Sequence, residues 1–178
     1  MMGFTIDENK GHMYWFDIEQ RKIFRSDLDG KNKTGLTALD ISLPTAFAID
    51  LIHKKVYWAA LGSGKIKRAE LDGTSIEDFI VHGIENPYKI TFDFYNKKMY
   101  WTDSGTGKIQ SARLDGSVIE DVISIGLYHP MGLAVDTAES KIYWADFSSG
   151  KIQRANTDGT GIEDVIINLN SPRGLTLY

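Results

Sequence analysis

The chain of 178 residues contains no cysteine, which excludes disulfide staples and thiolate zinc sites but leaves the compartment open. No apolar run approaches the roughly eighteen residues of a transmembrane helix, so membrane insertion is not expected. The opening Met1-Met2-Gly3-Phe4-Thr5-Ile6-Asp7 has neither a basic segment nor a long apolar core, and no signal peptide is visible. Neither sign of charge dominates: 20 Lys and Arg stand against 24 Asp and Glu, interleaved along the chain, giving a net charge of −4. A nucleic-acid surface needs clustered cations and is not expected. Also missing are a Gly-x-Ser-x-Gly elbow, a phosphate loop, a DxDxDG calcium loop and a nucleophile with an evident base. An enzyme is therefore not the leading expectation. No cofactor or metal is expected either, with calcium in a central channel left open.

What the chain does have is repetition. Met99-Tyr100-Trp101-Thr102-Asp103 returns as Tyr14-Trp15-Phe16-Asp17, Tyr57-Trp58-Ala59-Ala60 and Tyr143-Trp144-Ala145-Asp146, a step of 43 residues each time. Asp29-Gly30, Asp72-Gly73, Asp115-Gly116 and Asp158-Gly159 keep the same step, as do Asp7, Asp50, Asp93 and Asp136, each closing an apolar run. A period of about 40–45 residues with several short strands per copy is the signature of a β-propeller blade. The expected fold is all-β, a single β-propeller domain of four four-stranded antiparallel blades, at about 3–43, 44–86, 87–129 and 130–171. Residues 173–178 match the start of each copy and are expected to form a surplus inner strand.

The Tyr-Trp-Thr-Asp tetrapeptide, preceded by an apolar run ending in Asp and followed by a Leu-Asp-Gly turn, resembles the YWTD repeat of the low-density lipoprotein receptor family. That resemblance implies a propeller that binds proteins or peptides outside the cell. Known domains of that family have six blades and disulfide-rich neighbours; this chain has four copies and no cysteine.

Within each copy, the first strand is a continuous apolar run, expected to be buried on both faces. The second holds the aromatic pair. Tyr14, Trp15, Tyr57, Trp58, Tyr100, Trp101, Tyr143 and Trp144 are read as the structural pins between blades, each able to bury about 150–250 Å². Asp17, Asp103 and Asp146, where a strand enters a turn, are read as caps on backbone amides. The second copy has Ala60 instead, so its corner is expected to be the loosest.

Function is expected where the repeat varies. The four prolines all stand in loops approaching a first strand, and the residues after them, Thr45, Tyr88, Met131 and Arg173, are all different. Unlike side chains on like scaffolds suit a face that recognises a protein or peptide. Glu77-Asp78, Glu120-Asp121 and Glu163-Asp164 lie on three different blades and are read as protection of outer strands, not as cation ligands. Two other readings stay open. One is an assembly module that completes a ring by self-association, pairing copies through the terminal strand. The other is a channel-site hydrolase or lyase, for which His129 beside Pro130 is the near candidate.

Overall fold

A computed structural model describes residues 2–38, 44–60 and 62–177, apart from the side chains of residues 2, 3, 37 and 38. All its regular elements are strands, grouped in four antiparallel sheets that follow chain order. The first sheet holds β1 (Met2–Asp7), β2 (His12–Asp17), β3 (Lys22–Asp27) and β4 (Thr34–Ala38). The second holds β5 (Pro44–Asp50), β6 (Lys55–Ala60), β7 (Ile66–Glu70) and β8 (Glu77–Ile80). The third holds β9 (Pro87–Asp93), β10 (Lys98–Asp103), β11 (Lys108–Arg113) and β12 (Glu120–Ile123). The fourth holds β13 (Pro130–Asp136), β14 (Lys141–Asp146), β15 (Lys151–Asn156) and β16 (Glu163–Ile166).

Carboxylates set the turns. The aspartate ending each inner strand accepts the amide three residues on: Lys10 to Asp7 at 3.1 Å, His53 to Asp50 at 2.9 Å, Asn96 to Asp93 at 2.9 Å, Glu139 to Asp136 at 3.0 Å. Asp72, Asp115 and Asp158 of the Asp-Gly pairs likewise accept the amides of Thr74, Ser117 and Thr160. These bonds hold each turn in the conformation that returns the chain antiparallel.

The chain divides into two compact units, Met1–His82 and Gly83–Tyr178. In the first, Tyr14, Phe16 and Ile23 pack against Phe47, Ile49, Val56, Trp58 and Ala69, with the Phe16 and Phe47 rings stacked at 5.4 Å. In the second, Tyr100, Ile109 and Ile123 pack against Leu133, Ile142, Trp144 and Ala155. The same repeat positions meet in both units. Each sheet thus has a trailing face, carrying the motif tyrosine, and a leading face, carrying the motif tryptophan. Trp144 is 1% exposed, and its burial alone is worth very roughly 4–6 kcal/mol as an upper bound.

Two expectations need correction. The inner strand β1 is not buried on both faces: Phe4 is 50% and Ile6 46% exposed, whereas Phe47 and Ile49 at the same positions of β5 are 6% and 7%. Among the described residues of its unit, no trailing face covers β1. The surplus inner strand does not form either. Residues 172–177 have no regular structure and pair in no ladder among the described residues; Tyr178 falls outside the description. The segment nevertheless runs against β13, where a Cβ on Gly132 would meet the Arg173 carbonyl oxygen at 2.9 Å.

Candidate protein-binding face

Three of the four approach loops, those of Pro44, Pro87 and Pro130, lead into an inner strand through a β-bulge. Pro87 pairs with Asp103 and Lys89 with Thr102, leaving Tyr88 as the extra residue; Met131 is skipped between Pro130 and Gly132, and Thr45 between Pro44 and Ala46. A bulged residue has no ladder partner, so its side chain can be re-aimed out of the sheet. Proline fits here because a bulge releases the chain from donating to the ladder.

The motif aspartates lock these loops in place. Asp103, fully buried, accepts Glu85 N at 2.7 Å, Asn86 N at 3.0 Å, Gly105 N at 2.9 Å and Thr106 N at 3.1 Å. Asp146 does the same for Tyr128, His129, Ser148 and Ser149. Burial alone would raise the Asp146 pKa, but the amides of Ser149, Tyr128 and His129 outweigh it and hold the carboxyl below its ordinary range. Backbone bonds add to the lock: Ser104 N donates to Asn86 O and Phe147 N to His129 O, both at 3.0 Å. Asp17 has less to do, accepting Gln20 N at 2.9 Å. At Ala60 there is no carboxylate, and residue 61 lies outside the description.

In the second unit the varied side chains form a connected ridge. The Tyr88 ring meets His129 edge-on at 6.1 Å, His129 meets Phe147 at 5.8 Å, and the Arg173 guanidinium sits 4.9 Å from the Phe147 centroid. Met131, half-buried, follows Pro130, and its carbonyl accepts Thr102 Oγ1 at 3.2 Å. Thr45 belongs to the first unit; it is 8% exposed and its hydroxyl is buried without a partner.

Two residues escape the proline rule. Phe147 follows the fourth copy of the motif, at a loop position whose identity the repeat does not constrain. Lys89 occupies a slot that reads Gly3, Ala46 and Gly132 in the other copies, so its departure from the period was visible. Burial pushes the Lys89 ammonium below its ordinary pKa, and among the described residues no carboxylate is paired with it.

The acidic pairs have other work. Glu77 bonds Arg68, Glu120 bonds Lys98 at 2.8 Å, and Asp121 bonds Lys108 at 2.6 Å, while Glu163 and Asp164 engage Arg154 and Lys151. Each is a cross-strand ion pair on its own blade. Among the described residues no group of three or more His, Asp or Glu side chains gathers as a metal site. His129 lies between two rings, and His53 Nδ1 is 2.7 Å from Asp50.

Comparison with known proteins bears on this arrangement. A chain of the crystal structure of the nidogen/laminin complex is similar at a TM-score of 0.80 and 26% identity, over 92% of this chain and 64% of that one. Inactive H270A virginiamycin B lyase from Staphylococcus aureus with quinupristin is similar at 0.74 and 18% identity, over 97% of this chain and 58% of the lyase. At that identity the likeness to the lyase concerns the fold alone. The chain spans under two thirds of each. Curated protein sequences give no match. The fold is a β-propeller built of four-stranded blades. The pattern of the low-density lipoprotein receptor repeat class B matches residues 11–51, 97–137 and 140–178, passing over the copy with Ala59-Ala60. Motif, period, sheet order and aspartate caps agree, and the chain belongs to the low-density lipoprotein receptor class B repeat family.

Proposed function

We propose that the chain is a non-catalytic binding module whose second unit receives an extended protein segment at its approach-loop face, around an acidic side chain of the partner. The observation that carries this reading is two cations on the approach-loop segments, Lys89 half-buried beside the β9 bulge and Arg173 over an aromatic ring, neither with a carboxylate partner among the described residues. Lys89 is partly desolvated, and Arg173 lies over Phe147. A carboxylate arriving there would gain charge-assisted hydrogen bonds in a site already stripped of part of its water. Tyr88, Met131, Phe147 and Arg173 are of the types that dominate interface energetics. The bulges and four-amide caps hold the loops rigid beforehand, which lowers the entropic cost of binding. Family membership and the nidogen/laminin neighbour support a protein partner and an extracellular setting.

The catalytic alternative is disfavoured by His129, whose ring packs between Tyr88 and Phe147 and, among the described residues, has no carboxylate orienting it. Panning a phage-displayed random peptide library on the protein tests the proposal. Selected peptides are expected to carry Asp or Glu beside apolar residues, and Lys89→Ala and Arg173→Ala each to weaken their binding by about tenfold or more. Peptides without acidic residues, or unchanged binding by the double variant, would overturn it.

A further inference from the structure

A cavity of about 290 Å³ lies within the first unit, where Tyr14, Arg25 and Leu36 of β2, β3 and β4 meet Lys54 and the Leu71-Asp72 turn of the second sheet. Its floor is apolar: Tyr14 is 4% exposed, and Leu36 and Leu71 pack against the same core. Its free charge is positive. Arg25 is half-buried and Lys54 exposed, and among the described residues no carboxylate is paired with either. The two carboxylates at the edge are already engaged, Glu70 with Lys55, and Asp72 with the amide and hydroxyl of Thr74 at 2.9 and 2.7 Å.

The repeat explains why Arg25 is left over. Its slot holds Arg68 in the second sheet and Arg154 in the fourth, and each has a glutamate directly across the ladder. Arg68 bonds Glu77 and Tyr57, while Arg154 donates to Glu163 Oε1 at 2.6 Å and to Tyr143 Oη at 3.3 Å. In the first sheet the residue across from Arg25 is Thr34. The arginine and the tyrosine are kept, and the carboxylate is not.

We infer that this cavity binds a small carboxylate with an apolar tail, whose charged end takes the place beside Arg25 that Glu77 and Glu163 hold beside Arg68 and Arg154. A guanidinium presents its N–H donors in a fork that fits a carboxylate, and Tyr14 occupies the repeat position from which Tyr143 meets Arg154. Lys54 adds a second positive charge. The tail covers Tyr14, Leu36 and Leu71, in keeping with sites that combine apolar walls with a few placed polar groups. A phosphate dianion fits less well, since it would leave those walls bare and stand nearer to Glu70 and Asp72 with twice the charge. Both walls come from adjoining blades inside the chain, and the site is independent of the approach-loop face in the second unit.

Titration of the isotopically labelled full chain with straight-chain monocarboxylates from acetate to octanoate, followed by NMR, tests it. Saturable shifts are expected at the amides of Arg25, Leu36 and Leu71 and at the Arg25 Nε–H. The dissociation constant should fall by about tenfold or more from acetate to octanoate as the tail covers apolar wall. Octanamide, with the same tail and no charge, should bind about tenfold more weakly than octanoate. Arg25→Ala should weaken octanoate binding by a similar factor. Thr34→Glu supplies the cross-strand partner found in the other blades, so it should stay folded and also weaken octanoate binding about tenfold. Four results would each overturn the inference: no saturable shift with any acid, equal binding of octanoate and octanamide, inorganic phosphate binding as tightly as octanoate, or undiminished binding by folded Thr34→Glu.

Discussion

The third and fourth sheets carry the same motif, the same aspartate cap and an identical last strand, yet one trailing face is closed and the other open. Their sequences are too similar to account for the contrast; what differs is the neighbour. The repeat therefore encodes a pair of complementary surfaces, and burial is a property of the contact between copies. The first and second sheets show the same thing from the other side, with Phe47 covered and Phe4 bare.

The sharpest way to break that comparison is to substitute one repeat position in both environments. Trp144→Ala, at 1% exposure, should cost about 3–5 kcal/mol in denaturant unfolding of the second unit. Trp15→Ala, at the same repeat position on a bare face, should cost about 1 kcal/mol in the first, since less surface leaves contact. Equal losses would mean that neighbour contact is not what makes the tryptophan matter.

The aspartate caps give the next largest contrast. Asp103→Ala leaves four amides without their acceptor and should cost about 3 kcal/mol, while Asp17→Ala loses one exposed bond and should cost about 0.5–1 kcal/mol. Thermal unfolding of the two variants checks both figures. Glycines separate backbone strain from crowding. Gly30 and Gly159 have φ of 82° and 86°, but a Cβ at Gly30 meets nothing, whereas at Gly159 it would run into the Val122 carbonyl oxygen. Gly30→Ala should cost about 1 kcal/mol and Gly159→Ala about 2 kcal/mol more, read as shifts in urea midpoint.

The smallest effect is in pH. The Asp146 carboxyl is held below the roughly 3.9 of an unfolded aspartate, so its stabilisation is complete above that value and is lost as pH falls through the lower folded one. Asp146→Asn should therefore flatten part of the acid limb of the stability curve. An acid limb identical to that of the native chain would remove Asp146 from this role.

Most of the fold was legible because a strict period reports turn chemistry directly. Asp-Gly pairs, strand-ending aspartates and aromatic pairs each force one local geometry wherever they occur. The absence of a surplus strand was not legible, because Gly174-Leu175-Thr176-Leu177 has the composition of an inner strand whether or not it pairs in a ladder. Exposure of Phe4 and Ile6 was hidden for the same reason. The loop face was readable in part. Proline marked the bulges that carry Tyr88 and Met131, but Thr45 occupies the corresponding bulge with its hydroxyl turned inward. Lys89 was concealed by its place inside a strand, although a lysine among glycines and alanine is an audible break in the repeat.

Amide hydrogen exchange across β12 and β16 tests the central claim that identical strands differ only by what covers them. Strand β16 should exchange faster than β12, because its trailing face is the less covered of the two. Protection of β16 equal to that of β12 would contradict the account.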